Sequence, residues 1–223
     1  TTTTTTTTTT IINSRILIMG NKPMSKSTVP AEPAPMGPEG MSNKLALGAG
    51  CYWGTEKFVK KNFQAIFPNS IKKVSVGFMS PHEKPVIKNP TYRQVCTGRS
   101  GHVEVLYIEL VNPAKHFEEL IRFFFTFHDP TTKNRQGNDA GFQYASYIFC
   151  GDDEQQQIAQ RVRDELQQHL DDGKIHSFQK KEVTTNISPL KEFTPAEAYH
   201  QAYLEKNPNG YCNHRIRIKK WPA

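Results

Sequence analysis

Apolar residues along this chain recur with two periods, and the alternation between them marks out strands and helices in turn. Residues 44–49 form a short apolar run ending near glycines, residues 55–67 carry helix-like spacing, and residues 71–78 read as a strand again. These three make a β-α-β unit. A loop containing Pro81, Pro85 and Pro90 leads to Tyr92, and residues 102–111, rich in Val, Leu, Ile and Tyr, predict a further strand. The clearest helix follows: Phe117, Leu120, Ile121, Phe124 and Phe125 recur at i, i+3, i+4, i+7 and i+8, a single buried stripe. Residues 128–142, HDPTTKNRQGNDAGF, are dense in Asp, Asn, Gly and Pro and too long for a mere connection. Beyond them the pattern predicts a strand at 144–150, a surface helix at 152–170, a strand at 181–187 and a last helix at 195–206 capped by Thr194. From Asn207 onward there is little pattern, and no internal repeat occurs.

Residues 1–43 stand apart. They open with ten threonines, continue through a Ser, Pro and Met-rich stretch and show no periodicity, the signature of a disordered low-complexity segment. The first 31 residues hold Arg15, Lys22 and Lys26, no acid and many hydroxyls, which fits either an organellar transit peptide or an upstream-extended reading of the gene. The expected organisation is therefore this segment, a catalytic domain over residues 44–212, and a basic C-terminal tail over residues 213–223.

The 223 residues, 36% hydrophobic, bury one core, and no apolar run approaches the length of a membrane span. Of the net charge of +7, four positive charges (Arg215, Arg217, Lys219 and Lys220) fall in the last nine residues, so the excess is mostly the tail and nucleic acid is not the expected partner. The four cysteines, Cys51, Cys96, Cys150 and Cys212, show neither C-x-x-C nor Cys/His spacing, which argues against a metal site. They fit a reducing compartment, so the expectation is cytoplasmic, or mitochondrion or plastid if residues 1–43 are a transit peptide.

Candidate chemistry centres on residues 45–56, LALGAGCYWGTE. Cys51 falls between a strand and a helix start, where unpaired N–H groups and the helix dipole favour thiolate over thiol. Tyr52 and Trp53 supply flat apolar walls beside it. In the 102–111 strand, period two puts Glu104 on the face of Leu106, Ile108 and Leu110; desolvation there raises a carboxyl's pKa and makes it a proton donor. The bland alternative is a strand-end carboxylate paired with Arg93 or Arg99. Tyr92 and Tyr144 flank turns and offer phenolic donors, Asp139 sits in the turn 137–141, and His128 and His200 read as helix residues. Cys212 is either a mobile thiol able to reach Cys51 or an inert cysteine.

The stretches GCYWGTE at 50–56, NPTYRQVCTGRSGHVEV, FHDPTT, RQGNDAGFQYAS and YHQAYLEKNPNGYC, in that order over residues 44–212, resemble the signatures of the A-type peptide methionine sulfoxide reductases. The resemblance implies an α+β fold, a two-layer α/β sandwich with a ferredoxin-like core, a mixed sheet and long coil segments. It implies reduction of methionine S-sulfoxide, free or in proteins, with Cys51 as nucleophile, Glu104 as proton donor, and Tyr92 and Tyr144 holding the sulfoxide oxygen. Tyr52, Trp53 and Asp139 would bind the substrate, with Tyr52 where the family usually has phenylalanine, and Cys212 would resolve the sulfenic acid. It further implies no cofactor beyond an external dithiol such as thioredoxin, and the expectation is a monomer. Phe78 stands where the family often has tyrosine, the loop 79–89 is irregular, and Cys96 and Cys150 read as structural thiols, with either as the alternative resolving thiol. Two other classes compete: a cysteine hydrolase using His102 or His128 as base, and a basic module using residues 215–220 on nucleic acid.

Overall fold

The computed structural model describes residues 40–85 and 87–222. The disorder and targeting expectations for residues 1–43 thus lie, up to residue 39, outside the described residues. Strand β1 (Lys44–Ala49) is buried beyond its first residue and turns into helix α1 (Tyr52–Lys57). The helix widens into a π-helical stretch, Phe58–Phe63, that buries Phe58, Val59 and Phe63, and closes with the turn α2 (Gln64–Ile66). After β2 (Ile71–Met79) comes α3 (Tyr92–Cys96), a helix hidden in the proline loop and started by a capping box between Thr91 and Gln94. Strand β3 (Val103–Leu110) precedes α4 (Pro113–Phe127), which begins with Asn112 as cap and Pro113 in the first turn. A small hairpin, β4 (Arg135–Gln136) and β5 (Asp139–Ala140), lies in the long loop. Then follow β6 (Ser146–Cys150), α5 (Asp153–Asp171), β7 (Asn186–Pro189), β8 (Phe193–Pro195) and α6 (Tyr203–Lys206).

The six-stranded sheet has the order β7-β6-β1-β3-β2-β8, with β6–β7 parallel and the other pairs antiparallel. β3 lies between β1 and β2, so the expected β-α-β unit is a split one, and β6-β1-β3-β2 is the ferredoxin-like core. Leu45, Leu47, Leu106, Ile108 and Ile148 face the helices, against the five-residue stripe of α4, all of it buried; Ala46, Val103, Val105 and Phe149 face the other way, under Phe142, Leu190 and the β8 residue Phe193. The expected α+β, two-layer mixed-sheet architecture is the one observed.

Three segments differ from their sequence patterns. The strand expected at 181–187 is limited to β7, because Val183 N–H donates to Gln167 Oε1 (2.9 Å) and Thr184 N–H to the Pro130 carbonyl (2.8 Å) rather than to a strand. The helix expected at 195–206 is instead an edge strand, a series of turns and the short α6. Phe193–Pro195 pairs with Gly77–Met79, an edge where proline's missing N–H is tolerated. Gln201 then holds both the N–H (2.9 Å) and the carbonyl (2.8 Å) of Val76.

The third is the segment expected as a basic tail. Arg215 and Arg217 give their backbone N–H groups to the last-turn carbonyls of α4, Phe127 (3.2 Å) and Thr126 (2.7 Å), which lack partners within the helix. Ile218 and Trp221 are buried in the main core, and Trp221 Nε1 donates to Glu165 at 2.6 Å. The Arg217 guanidinium turns inward, 3.8 Å from the buried Asp129. Residues 213–222 form a strap over the ends of α4 and α5. Among the described residues, no helix is long and apolar enough to cross a membrane.

Candidate active site

The end of β1 delivers Cys51 to the start of α1. Gly50 makes the turn with φ +86°, and a Cβ there would lie 2.4 Å from the Cβ of Gln136 in the β4–β5 hairpin. Cys51 itself is nearly buried, 8% exposed. On the neighbouring strand β3, Glu104 points to the helix side, 2% exposed, and its Oε2 accepts the Tyr52 backbone N–H at 3.2 Å. The hydrogen bond that Glu104 forms is this one rather than a pairing with Arg93 or Arg99.

Burial pushes the Glu104 pKa up to about 8; the charge of Asp139 adds to the rise and the Tyr52 N–H opposes it. Glu104 thus retains its proton well above the usual carboxylate range, as its strand face predicts. For Cys51 the structure overturns the expectation of a thiolate. Burial raises the thiol pKa, the Glu104 carboxylate raises it further, Asp139 and Cys212 add to this, and the Trp53 N–H only partly offsets them. Desolvation beside a like charge outweighs the helix-terminus effect. Protonating Glu104 removes the neighbouring charge and with it that part of the rise.

Cys51, Tyr52, Trp53, Tyr92, Glu104, Asp139, Tyr144 and Tyr211 line a cavity of about 180 Å³. Seven of these are sequence-predicted; Tyr211 is new, signalled only by its place beside Cys212. Tyr92 shares a side-chain hydrogen bond with Cys96 one turn along α3, and burial raises the pKa values of Tyr92 and Tyr144, leaving both as O–H donors. Asp139 accepts from the Tyr211 hydroxyl (2.9 Å, at Oδ1) and from Asn213 Nδ2 (2.9 Å, at Oδ2), the two residues flanking Cys212. Cys212 itself is outside the cavity lining but near enough for its charge to act on Cys51, and all four cysteines are free. Cys150 is buried and Cys96 exposed.

Behind the cavity wall, Tyr203 stacks on Trp53 (centroids 3.8 Å apart, planes at 15°). The buried His200 packs against Tyr52 at 5.5 Å, Trp53 at 5.6 Å and Tyr92 at 4.5 Å. Neither His102 nor His128, the candidate hydrolase bases, lines the cavity: His128 bonds the Phe124 carbonyl (2.8 Å) and Ser146 (2.9 Å), and His102 faces a separate cleft with His82 and Lys191. Among the described residues, no group of three or more His, Cys, Asp or Glu is arranged to hold a metal ion.

A ferredoxin-like α+β domain in which a buried cysteine and a buried carboxyl line one small cavity of rings and phenols defines a class of thiol-dependent enzyme. The comparisons with known proteins narrow it. The family model described as peptide methionine sulfoxide reductase matches residues 43–222, the strap included. The probable peptide methionine sulfoxide reductase of Schizosaccharomyces pombe is 41% identical, over 74% of this chain and 89% of the relative. The peptide methionine sulfoxide reductase MsrA of Methanothermobacter thermautotrophicus is 39% identical, over 76% and 90%. Among solved structures, reduced Mxr1 from Saccharomyces cerevisiae superposes with TM-score 0.67 at 33% identity, covering 82% of this chain and 96% of that one. The chain belongs to the peptide methionine sulfoxide reductase family.

Proposed function

We propose that this protein reduces methionine S-sulfoxide, free or in proteins, at the cavity beside Cys51. The observation that carries the reading is the buried Glu104 carboxyl, with its pKa raised to about 8, in a cavity that also holds the Cys51 thiol, two aromatic walls and three phenols. A sulfoxide joins a polar oxygen to a small methyl group, and the cavity offers donors for the first and rings for the second.

In the proposed reaction Tyr92 and Tyr144 hold the sulfoxide oxygen, Tyr52 and Trp53 enclose the methyl, and Asp139 lies at the cavity edge. Cys51 Sγ attacks the sulfoxide sulfur while Glu104 protonates the oxygen; the Cys51 thiol proton passes to the Glu104 carboxylate as the pair resets. The products are methionine and Cys51 sulfenic acid. The Cys212 thiol then attacks that sulfenic acid, forming the Cys51–Cys212 disulfide and releasing water. A dithiol, for which thioredoxin is the proposed partner, reduces the disulfide by exchange. The proposed functional unit is a monomer. Residues 44–212 carry the chemistry and the C-terminal strap completes their packing.

The test is incubation with separated S and R methionine sulfoxides and a dithiol, followed by mass mapping of the thiols. Turnover of the S form alone, with a Cys51–Cys212 disulfide when reductant is withheld, is the expected result. Single-turnover methionine release from Cys51→Ser would overturn the assignment.

A further inference from the structure

The motif that begins at Cys51 ends in Glu56, for which the reaction above has no use. Glu56 lies on α1, three residues beyond Trp53, and is 4% exposed. A buried carboxylate is costly unless its oxygens are satisfied. Here both oxygens face one donor, the backbone N–H of Ala202, at 3.0 Å and 2.9 Å. Ala202 in turn holds a left-handed conformation, φ 54° and ψ 34°, which an alanine adopts only against steric cost and only when its surroundings impose it.

That conformation decides where the flanking rings point. On one side of Ala202 is His200, packed on Tyr52, Trp53 and Tyr92; on the other is Tyr203, stacked flat on Trp53. The segment has a second anchor, Gln201 bonded to Val76 on β2, and a third at its end, where Lys60 of the π-helical stretch pairs with Glu205 at 2.5 Å. Glu56 and Trp53 thus grip the same short segment from one helix, the first by its backbone and the second by its ring.

We propose that Glu56 is a positioning residue for substrate binding: it holds Ala202 in the left-handed conformation, which keeps Tyr203 stacked on Trp53 and sets the aromatic wall of the cavity. The inference rests on that cavity being the sulfoxide site. Glu56 touches neither Cys51 nor the sulfoxide, so its loss acts on how well the site receives substrate rather than on the sulfur chemistry.

The experiment is single-turnover methionine release from the full chain, measured against S-sulfoxide concentration, for wild type, Glu56→Ala, Glu56→Gln, Tyr203→Leu and the Glu56→Ala/Tyr203→Leu double variant. An aromatic pair lost from the wall raises the half-saturating concentration roughly three- to tenfold. We expect that rise for Glu56→Ala and for Tyr203→Leu, no greater rise for the double variant, and a saturating rate within about twofold of wild type. Glu56→Gln retains a carbonyl oxygen for Ala202 and stays near wild type. Tyr203→Leu leaves the Glu56 clamp intact and carries the test if Glu56→Ala does not fold. An unchanged half-saturating concentration in Tyr203→Leu, additive effects in the double variant, or a fall in saturating rate alone would each overturn the proposal. Absence of S-sulfoxide reduction by wild type would instead overturn the site assignment.

Discussion

Glu104 Oε2 accepts the backbone N–H of Tyr52 at 3.2 Å, so a buried carboxyl on β3 meets the first turn of the helix that Cys51 begins. One hydrogen bond thereby fixes the distance between the group that gives a proton and the chain segment that carries the sulfur.

Its first consequence is a pH profile. Glu104 is protonated below about 8 and charged above, and its charge raises the Cys51 pKa as well. The methionine-release step should therefore fall as pH rises through about 8. Glu104→Gln removes that limb and slows the step by roughly 10²- to 10⁴-fold, as rapid-quench single turnovers will read.

The same group sets a stability trade. Its folded pKa lies above the unfolded value, so the folded state binds the proton more tightly and stability falls as pH rises from the ordinary carboxylate range, 4.5, to about 8. Glu104→Gln, which has no charge to desolvate, should melt above wild type at pH values near 8, with the difference shrinking in acid. Thermal melts across pH check this.

Asp139 holds Tyr211 and Asn213, the neighbours of Cys212 on both sides. Asp139→Ala frees the segment, and losing two hydrogen bonds of about 1 kcal/mol each predicts disulfide formation slowed about tenfold or more. Sulfenic acid then accumulates after one sulfoxide is reduced, and trapping it with a dimedone probe measures the delay.

Gly54 lies under the strap. A Cβ there would lie 1.9 Å from His214 Nδ1, whose other ring nitrogen is 2.6 Å from the Ala49 carbonyl. Gly54→Ala must push the strap outward, at about 1–3 kcal/mol, and the melting temperature should fall by several degrees.

Trp221 anchors the far end of the strap, 7% exposed, with Arg122 stacked 5.2 Å from its ring centre. Trp221→Ala should destabilise by about 3–5 kcal/mol in denaturant unfolding. A free basic tail would show no such loss.

Local pattern determined much of this protein. The stripe of Phe117, Leu120, Ile121, Phe124 and Phe125 marks α4, because a helix with one buried face must repeat its apolar residues at that spacing. Period two along β3 places Glu104 among Leu106 and Ile108, and the ordered motifs around Cys51, Tyr92, Asp139, Tyr144 and Cys212 identify the family. What tertiary structure alone decided depends on neighbours far apart in sequence. The Cys51 thiol is driven up rather than down because desolvation and the Glu104 charge are summed over the packed site, and no local signal reports that sum. Phe193–Pro195 becomes a strand because the edge of β2 is open to it, and residues 213–222 become a strap because the carbonyls ending α4 need donors. Tyr211, Glu56 and Tyr203 reach the site the same way, each through a partner that only the folded chain brings near.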